Sequence, residues 1–191
     1  MCRSFSPEPV DQAVLEGILG AALRSPTAGN AGGTAWVVLH GPHQTSAYWE
    51  ATTDAGWRAA NPEWARGLMR APVVLLSYAS AGAYLARYSE PDKASSALGS
   101  SEAAWPVPYW FGDAAFGVMA VLLCAVDAGL GACVLGNFRG EAALASSLGV
   151  PDAWRLFGAV ALGTPAGDTR RARSLDRNVP SAGDRIHRGR W

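Results

Sequence analysis

Arginines toward both ends of the chain, and two stretches almost bare of bulky side chains, are where this sequence could do chemistry. Arg171 and Arg173 directly follow the last apolar run, and in an extended segment two such guanidinium groups can point the same way and clamp one phosphate. The tail that carries them, residues 164–191, also holds Arg170, Arg177, Arg185, Arg188 and Arg190, and a charged tail is usually just solvated. The loop Pro26-Thr27-Ala28-Gly29-Asn30-Ala31-Gly32-Gly33-Thr34 lets backbone come close to something flat or anionic, although a flexible connector would read the same way. Gly136-Asn137-Phe138-Arg139-Gly140 would offer backbone N–H groups at the end of a core element. Missing are a Gly-x-Ser-x-Gly nucleophile motif, a Cys beside a His, and a Walker or Gly-x-Gly-x-x-Gly loop between strand and helix. His40, His43 and His187 have no metal-ligand spacing. A chain with so little chemistry of its own suits a borrowed redox group, for which the protein supplies position and electrostatics.

The element that must position these residues is the stretch from Gly112 to Phe138. Ala114 to Val126 has no charged side chain on any face, which predicts a buried helix, with Asp113 as its N-terminal cap and Gly129 and Gly131 as its stop. The run is shorter than the roughly 20 apolar residues a bilayer needs. Its small residues (Ala114, Ala115, Gly117, Ala120, Ala125) allow other backbones close, so helices should pack on several sides, a partner subunit among them. Ala132 to Leu135 reads as the short buried strand that follows.

Upstream, Asp11 should cap a helix carrying Val14, Leu15, Ile18, Leu19 and Ala22, which Pro26 brings to an end. Trp36 to His40 is a buried strand. Thr45 or Ser46 should cap a helix through Trp49 and Trp57 to Asn61, and a further helical segment carries Trp64 and Met69. These tryptophans read as core filling rather than a binding platform. Val73 to Tyr78 is a second strand, and the alternation of strands with helices predicts a mixed or parallel sheet. From Ala79 to Phe111 polar and small residues are interleaved with Tyr84, Tyr88, Trp105, Tyr109, Trp110 and Phe111, as in a lid or binding insert. Each aromatic taken singly fits equally well as cover for the central helix. Glu141 to Leu148 is a short helix, and Trp154 to Gly163 is the last core strand.

The 191 residues fit one globular domain. With 16 basic and 16 acidic side chains there is no electrostatic case for nucleic acid or an anionic membrane as partner. Cys2, Cys124 and Cys133 are an odd set, two of them in apolar surroundings, so they read as reduced cysteines of a cytoplasmic protein. No secretory signal pattern is present at the N-terminus.

Five pieces in order resemble the flavin-dependent nitroreductase family: Arg3-x-Phe5 with Pro9-Val10, Ser25 to Asn30, the helix ending in Gly129-Leu130-Gly131, Leu156 to Gly163 with Pro165, and Arg171-Ala172-Arg173-Ser174-Leu175. The resemblance implies an α+β fold, a mixed sheet flanked by helices in an intertwined homodimer with one FMN at each of two shared sites. It implies an FMN-dependent NAD(P)H oxidoreductase reducing a flat acceptor, such as a nitroaromatic or quinone, by a ping-pong mechanism. A flavin enzyme of the same fold with other chemistry, or a non-catalytic flavin binder, is the alternative. By the same resemblance Arg3, Arg171 and Arg173 hold the phosphate, and Pro26, Thr27, Ala28 and Asn30 line the ribityl chain and ring. Gly136 and Asn137 offer backbone N–H to flavin N5, and Tyr109, Trp110 and Phe111 wall the substrate pocket. The chain departs from the family in having no Arg-x-Ser element before Arg3, and Gly32-Gly33-Thr34 where Gln-Pro-Trp is usual.

Overall fold

The computed structural model describes residues 1–168 and 173–191, the latter without the side chains of Arg173 and Ser174. Four strands make one sheet in the order β1-β2-β4-β3: β1 Thr34–His40, β2 Val73–Ala79, β3 Gly131–Leu135 and β4 Arg155–Gly163. The class is α+β, as expected, but every adjacent pair is antiparallel, which corrects the expectation of a mixed or parallel sheet. Helices do lie between the strands, but alternation of element types does not fix strand direction. Val73 to Leu76 is continuously apolar because both faces of the sheet are covered, a pattern usual for parallel strands that this antiparallel sheet shares.

One face, with Val74, Leu76, Cys133, Leu135 and Ala161, packs against Tyr48, Trp49 and Leu68. The other, with Val73, Leu75, Val160 and Leu162, packs against Leu15, Ile18, Val118, Val121 and Ala125. The second face is covered by α1, Gln12–Leu23, and a long central helix. Asp11 caps α1 as the sequence indicates, accepting from the N–H of Ala13 at 2.9 Å and of Val14 at 3.1 Å.

The first face is covered by α2 (Pro42–Thr52) and α4 (Pro62–Leu68), with the short α3 (Ala55–Ala60) between them in sequence. The first of these begins at Pro42 rather than at Thr45 or Ser46, since a proline suits the first helical position. The expected single helix through Trp57 breaks at Thr53, and the Asp54 carboxylate caps α3 through the Trp57 N–H at 2.6 Å. After β2 come α5 (Ala81–Tyr88), two 3-10 turns, and α6 (Tyr109–Asp127); α7, Glu141–Ser147, precedes β4.

The central helix differs from its expectation in three ways. It starts at Tyr109, just after Pro108, so Asp113 lies inside it and not at its cap. Its length, 19 residues at a mean hydropathy of 1.7, is enough by composition alone to cross a bilayer, yet its Val118, Val121 and Ala125 face is packed in the core. Nor is it buried all round: Phe116, Met119, Leu123 and Val126, spaced at three and four residues, form an apolar stripe on its outer face, with Leu123 64% and Val126 74% exposed.

The insert from Ala79 to Phe111 carries a third apolar cluster of its own. Tyr84, Trp105, Trp110 and Ala114 are buried together, with Ala28 and Phe111 packed against them.

Candidate functional site

The sequence-derived site residues fall into two groups. The first lines a cavity of about 410 Å³ between the β3 edge and the α2–α4 segment. Arg3, Gly136 and Asn137 all lie on its wall, together with Tyr48, Trp49, Trp57, Trp64 and Phe138. Arg3 is brought there because the N-terminal segment runs beside the sheet: Cys2 N–H donates to the Ala132 carbonyl at 2.9 Å, and Ser6 N–H to that of Thr164 at 2.8 Å. Gly136 and Asn137 leave the end of β3.

The wall is cationic and short of acceptors. Arg3 and Arg139 line it, and among the described lining residues there is no carboxylate. Arg139 is held at the rim by an ion pair with Asp54. At the same wall the indole N–H of Trp49 and the amide Nδ2 of Asn137 are buried with no hydrogen-bond partner among the described residues. Such unmade bonds cost on the order of 1–3 kcal/mol each, an unusual feature for a site that is merely structural. The Tyr48 hydroxyl reaches the other end of the Asn137 amide at a long 3.5 Å, and burial pushes this phenol up to about 12. Burial likewise raises the Cys133 thiol, with Arg3 pulling the other way, so the cysteine at this wall is a neutral thiol and no nucleophile. Trp57 and Trp64, expected as core filling, meet edge to face at 4.8 Å and both line the cavity, Trp64 while also packing against the core.

The second group is the loop from Pro26, at the start of β1. None of Pro26, Thr27, Ala28 or Asn30 lines the cavity. Ala28–Asn30 form a 3-10 turn, with Gly29 at φ +64° and Asn30 at φ +55°. The turn is neither a free connector nor an open cradle. A Cβ at Gly29 would lie 2.7 Å from the Tyr88 ring, and one at Gly33 only 2.4 Å from the Tyr84 ring, so what the bare backbone approaches is the protein's own α5. The first turn of α6 joins this group. Trp110 is buried, Phe111 half-buried and Tyr109 exposed, and none of the three lines the cavity.

Arg171 lies outside the described residues, and Arg173 is described only as the first residue of a 3-10 turn, Arg173–Asp176. Sequence reasoning missed Tyr48, Trp57, Trp64 and above all Asp113. Pro108 was the signal for the last of these, because a proline before a helix marks its start better than Gly112 does, and a start at Tyr109 turns Asp113 inward.

Comparison with known proteins identifies the fold. Nitroreductase CinD from Lactococcus lactis, solved in complex with nicotinic acid, is 20% identical over 95% of this chain and 94% of its own, with a TM-score of 0.69. An FMN-dependent nitroreductase from Clostridium difficile R20291 is 16% identical over 100% and 94%, with a TM-score of 0.66. A nitroreductase family protein from Clostridium novyi NT is 19% identical over 87% and 80%, with a TM-score of 0.64. At these identities the structures show a shared fold. Among curated proteins none matches the chain. The model of the nitroreductase family matches residues 1–164, nearly the whole of the described fold, and the chain belongs to that family.

Proposed function

We propose that the chain is an FMN-dependent oxidoreductase that passes electrons from NAD(P)H to a flat acceptor such as a nitroaromatic or quinone, acting in the cytoplasm as a homodimer. The observation that carries this reading is the convergence of Arg3, Gly136 and Asn137 on one cavity from chain positions far apart. The wall fits a planar, phosphate-bearing group: guanidinium groups without a lining carboxylate, aromatic sides, and donors that lack acceptors. Bound there, FMN would supply the hydride chemistry that the chain's own side chains lack.

In this reading Arg3, with Arg171 and Arg173, holds the phosphate, and Gly136 and Asn137 offer backbone N–H to the ring. The half of the site made by Pro26, Thr27, Ala28 and Asn30, with Tyr109, Trp110 and Phe111 as the acceptor wall, would come from a second copy of the chain. The apolar stripe Phe116, Met119, Leu123 and Val126 supports such a partner, because large apolar groups at helical spacing are seldom left to water. The flat aromatic acid named with the Lactococcus lactis neighbour is of the kind proposed for this pocket.

The test is the absorption spectrum of the purified protein. A yellow protein, dimeric in solution and bleached by NADH or NADPH without oxygen, is expected. A colourless protein that takes up no added FMN would overturn the proposal.

A further inference from the structure

The loop Pro26–Thr34 is held in its shape from two sides, and neither hold belongs to the cavity. On one side is Asp113, 3% exposed in the second turn of α6, beside the cluster of Tyr84, Trp110 and Ala114. Its Oδ2 accepts from the Ala28 backbone N–H at 2.6 Å and from the Tyr84 hydroxyl at 2.7 Å. Burial and the facing carboxylate raise the Tyr84 phenol, so it remains a neutral donor. On the other side is Arg87 of α5, whose Nε–H donates to the Gly29 carbonyl at 2.8 Å. The Arg87 head is itself fixed by two parallel bonds of 2.8 Å to the Asp92 carboxylate and one of 3.0 Å to Glu90.

A buried carboxylate is costly in a core unless it is fully used, and a simple connector would not require one. Here it serves the Tyr84 hydroxyl and one backbone amide of a turn that also keeps a non-glycine residue, Asn30, in the left-handed region. Gripping the Ala28 N–H and the Gly29 C=O fixes two peptide planes, Thr27–Ala28 and Gly29–Asn30. Those planes decide where Thr27 and Asn30 present their polar groups.

We infer that Asp113 is a positioning residue for the cofactor: through Ala28, and seconded by Arg87, it holds the Pro26–Asn30 turn in the one conformation that receives FMN. The inference rests on the reading of that turn as part of the flavin site. A turn already ordered spares the bound state the entropy of ordering it, so loosening the hold should appear as lost affinity rather than lost fold.

The experiment uses the full chain and FMN as the probe, read in two independent ways: flavin fluorescence titration for Kd, and amide hydrogen exchange of Ala28 in the flavin-free protein. In the wild type Ala28 should exchange slowly despite lying in a loop. Asp113→Ala should speed that exchange and raise the FMN Kd roughly tenfold, the weight of one charge-assisted hydrogen bond. Asp113→Asn keeps a carbonyl acceptor and should restore much of both. Arg87→Met, which leaves the core untouched, should raise Kd in the same direction and serves if Asp113→Ala does not fold. A wild type that binds no FMN overturns the cofactor reading and this inference with it. A wild type that binds FMN, beside folded Asp113→Ala or Arg87→Met chains that bind it equally well, overturns the inference alone.

Discussion

The cavity beside β3 and the turn before β1 were expected to form one site, and the single chain keeps them apart. In the order β1-β2-β4-β3 they belong to the two opposite edges of the sheet, which three strand spacings put about 14 Å apart. They differ in character as well as place. The cavity is hollow, with cations and unpartnered donors in its wall, whereas the turn is filled, Gly29 and Gly33 pressed on tyrosine rings and the Ala28 amide and Gly29 carbonyl both engaged. One region is built to receive and the other to be presented. In the proposed reading, a receiving half and a presenting half on opposite edges become one site when a second copy brings its turn to the first copy's cavity. The apolar stripe of α6 supplies a surface on which that could happen.

The most severe way to break this comparison is to abolish the second copy. Leu123 is exposed in the single chain, so Leu123→Glu should leave the protomer folded. In a two-fold interface the charge enters twice, and juxtaposed like charges cost several kcal/mol. We expect a monomer by light scattering and FMN affinity down by about 100-fold or more, because half of each site would be missing. A monomeric variant that binds FMN as tightly as the parent would show that one copy suffices, and the two-edge account would fall.

The presented half should be sensitive in a different way. Gly32 and Gly33 are neighbours, yet only Gly33 lacks room: its added Cβ would strike the Tyr84 ring and come within 3.0 Å of the Ser80 carbonyl, while nothing lies near Gly32. Gly33→Ala should therefore cost about 1–3 kcal/mol in urea unfolding by overpacking. Gly32→Ala is strained only through its φ of +61° and should cost less. Equal costs for the two would mean that the turn is not pressed on α5 in solution.

What the sequence made legible follows the reach of each interaction. The Asp11 cap, the extent of α1 and the strands Val73 and onward were readable because their causes lie within a few residues. Arg3, Gly136 and Asn137 were readable as a group only through the family resemblance, since no local rule connects residue 3 with residue 137. Asp113 was misplaced because its partners, Tyr84 and Ala28, are 29 and 85 residues away, and a carboxylate after a glycine satisfies the local rule for a cap equally well. Strand direction escaped because a helix between two strands does not record whether the chain returns parallel or antiparallel to the first, or to which strand it returns. The outward stripe of α6 escaped as well: an all-round apolar helix does not say which side its own chain covers.

On the receiving half, Arg3→Met removes a cation from the cavity wall while keeping much of the side chain's apolar stem. We expect the FMN Kd to rise roughly tenfold, as for one charge-assisted contact, with urea stability little changed. The contrast with Gly33→Ala sharpens the distinction: one substitution should touch affinity and spare the fold, the other should touch the fold first. An Arg3→Met chain that lost stability and kept its affinity would reverse the two roles.

The smallest effect is an alkaline one, and it separates the halves through their tyrosines. Tyr48, at the cavity, is pushed up to about 12, chiefly by burial, from an unfolded value of about 10. A phenol that ionises later in the folded than in the unfolded chain lends stability that is fully present below about pH 10 and is lost as the pH climbs through about 12. Tyr84, in the turn's cluster, is raised further, by burial with the Asp113 carboxylate adding to it, so its loss sets in over the same range and continues beyond it. Tm measured against pH should therefore fall from about pH 10 upward, and Tyr48→Phe should flatten the first part of that fall. Absorbance at the phenolate band, followed in parallel, should lose one buried step in the same variant. An alkaline limb identical in Tyr48→Phe would assign the loss to the Tyr84 side, and would mean that the cavity wall around Tyr48 is wetter than its packing against Trp49 and Asn137 implies.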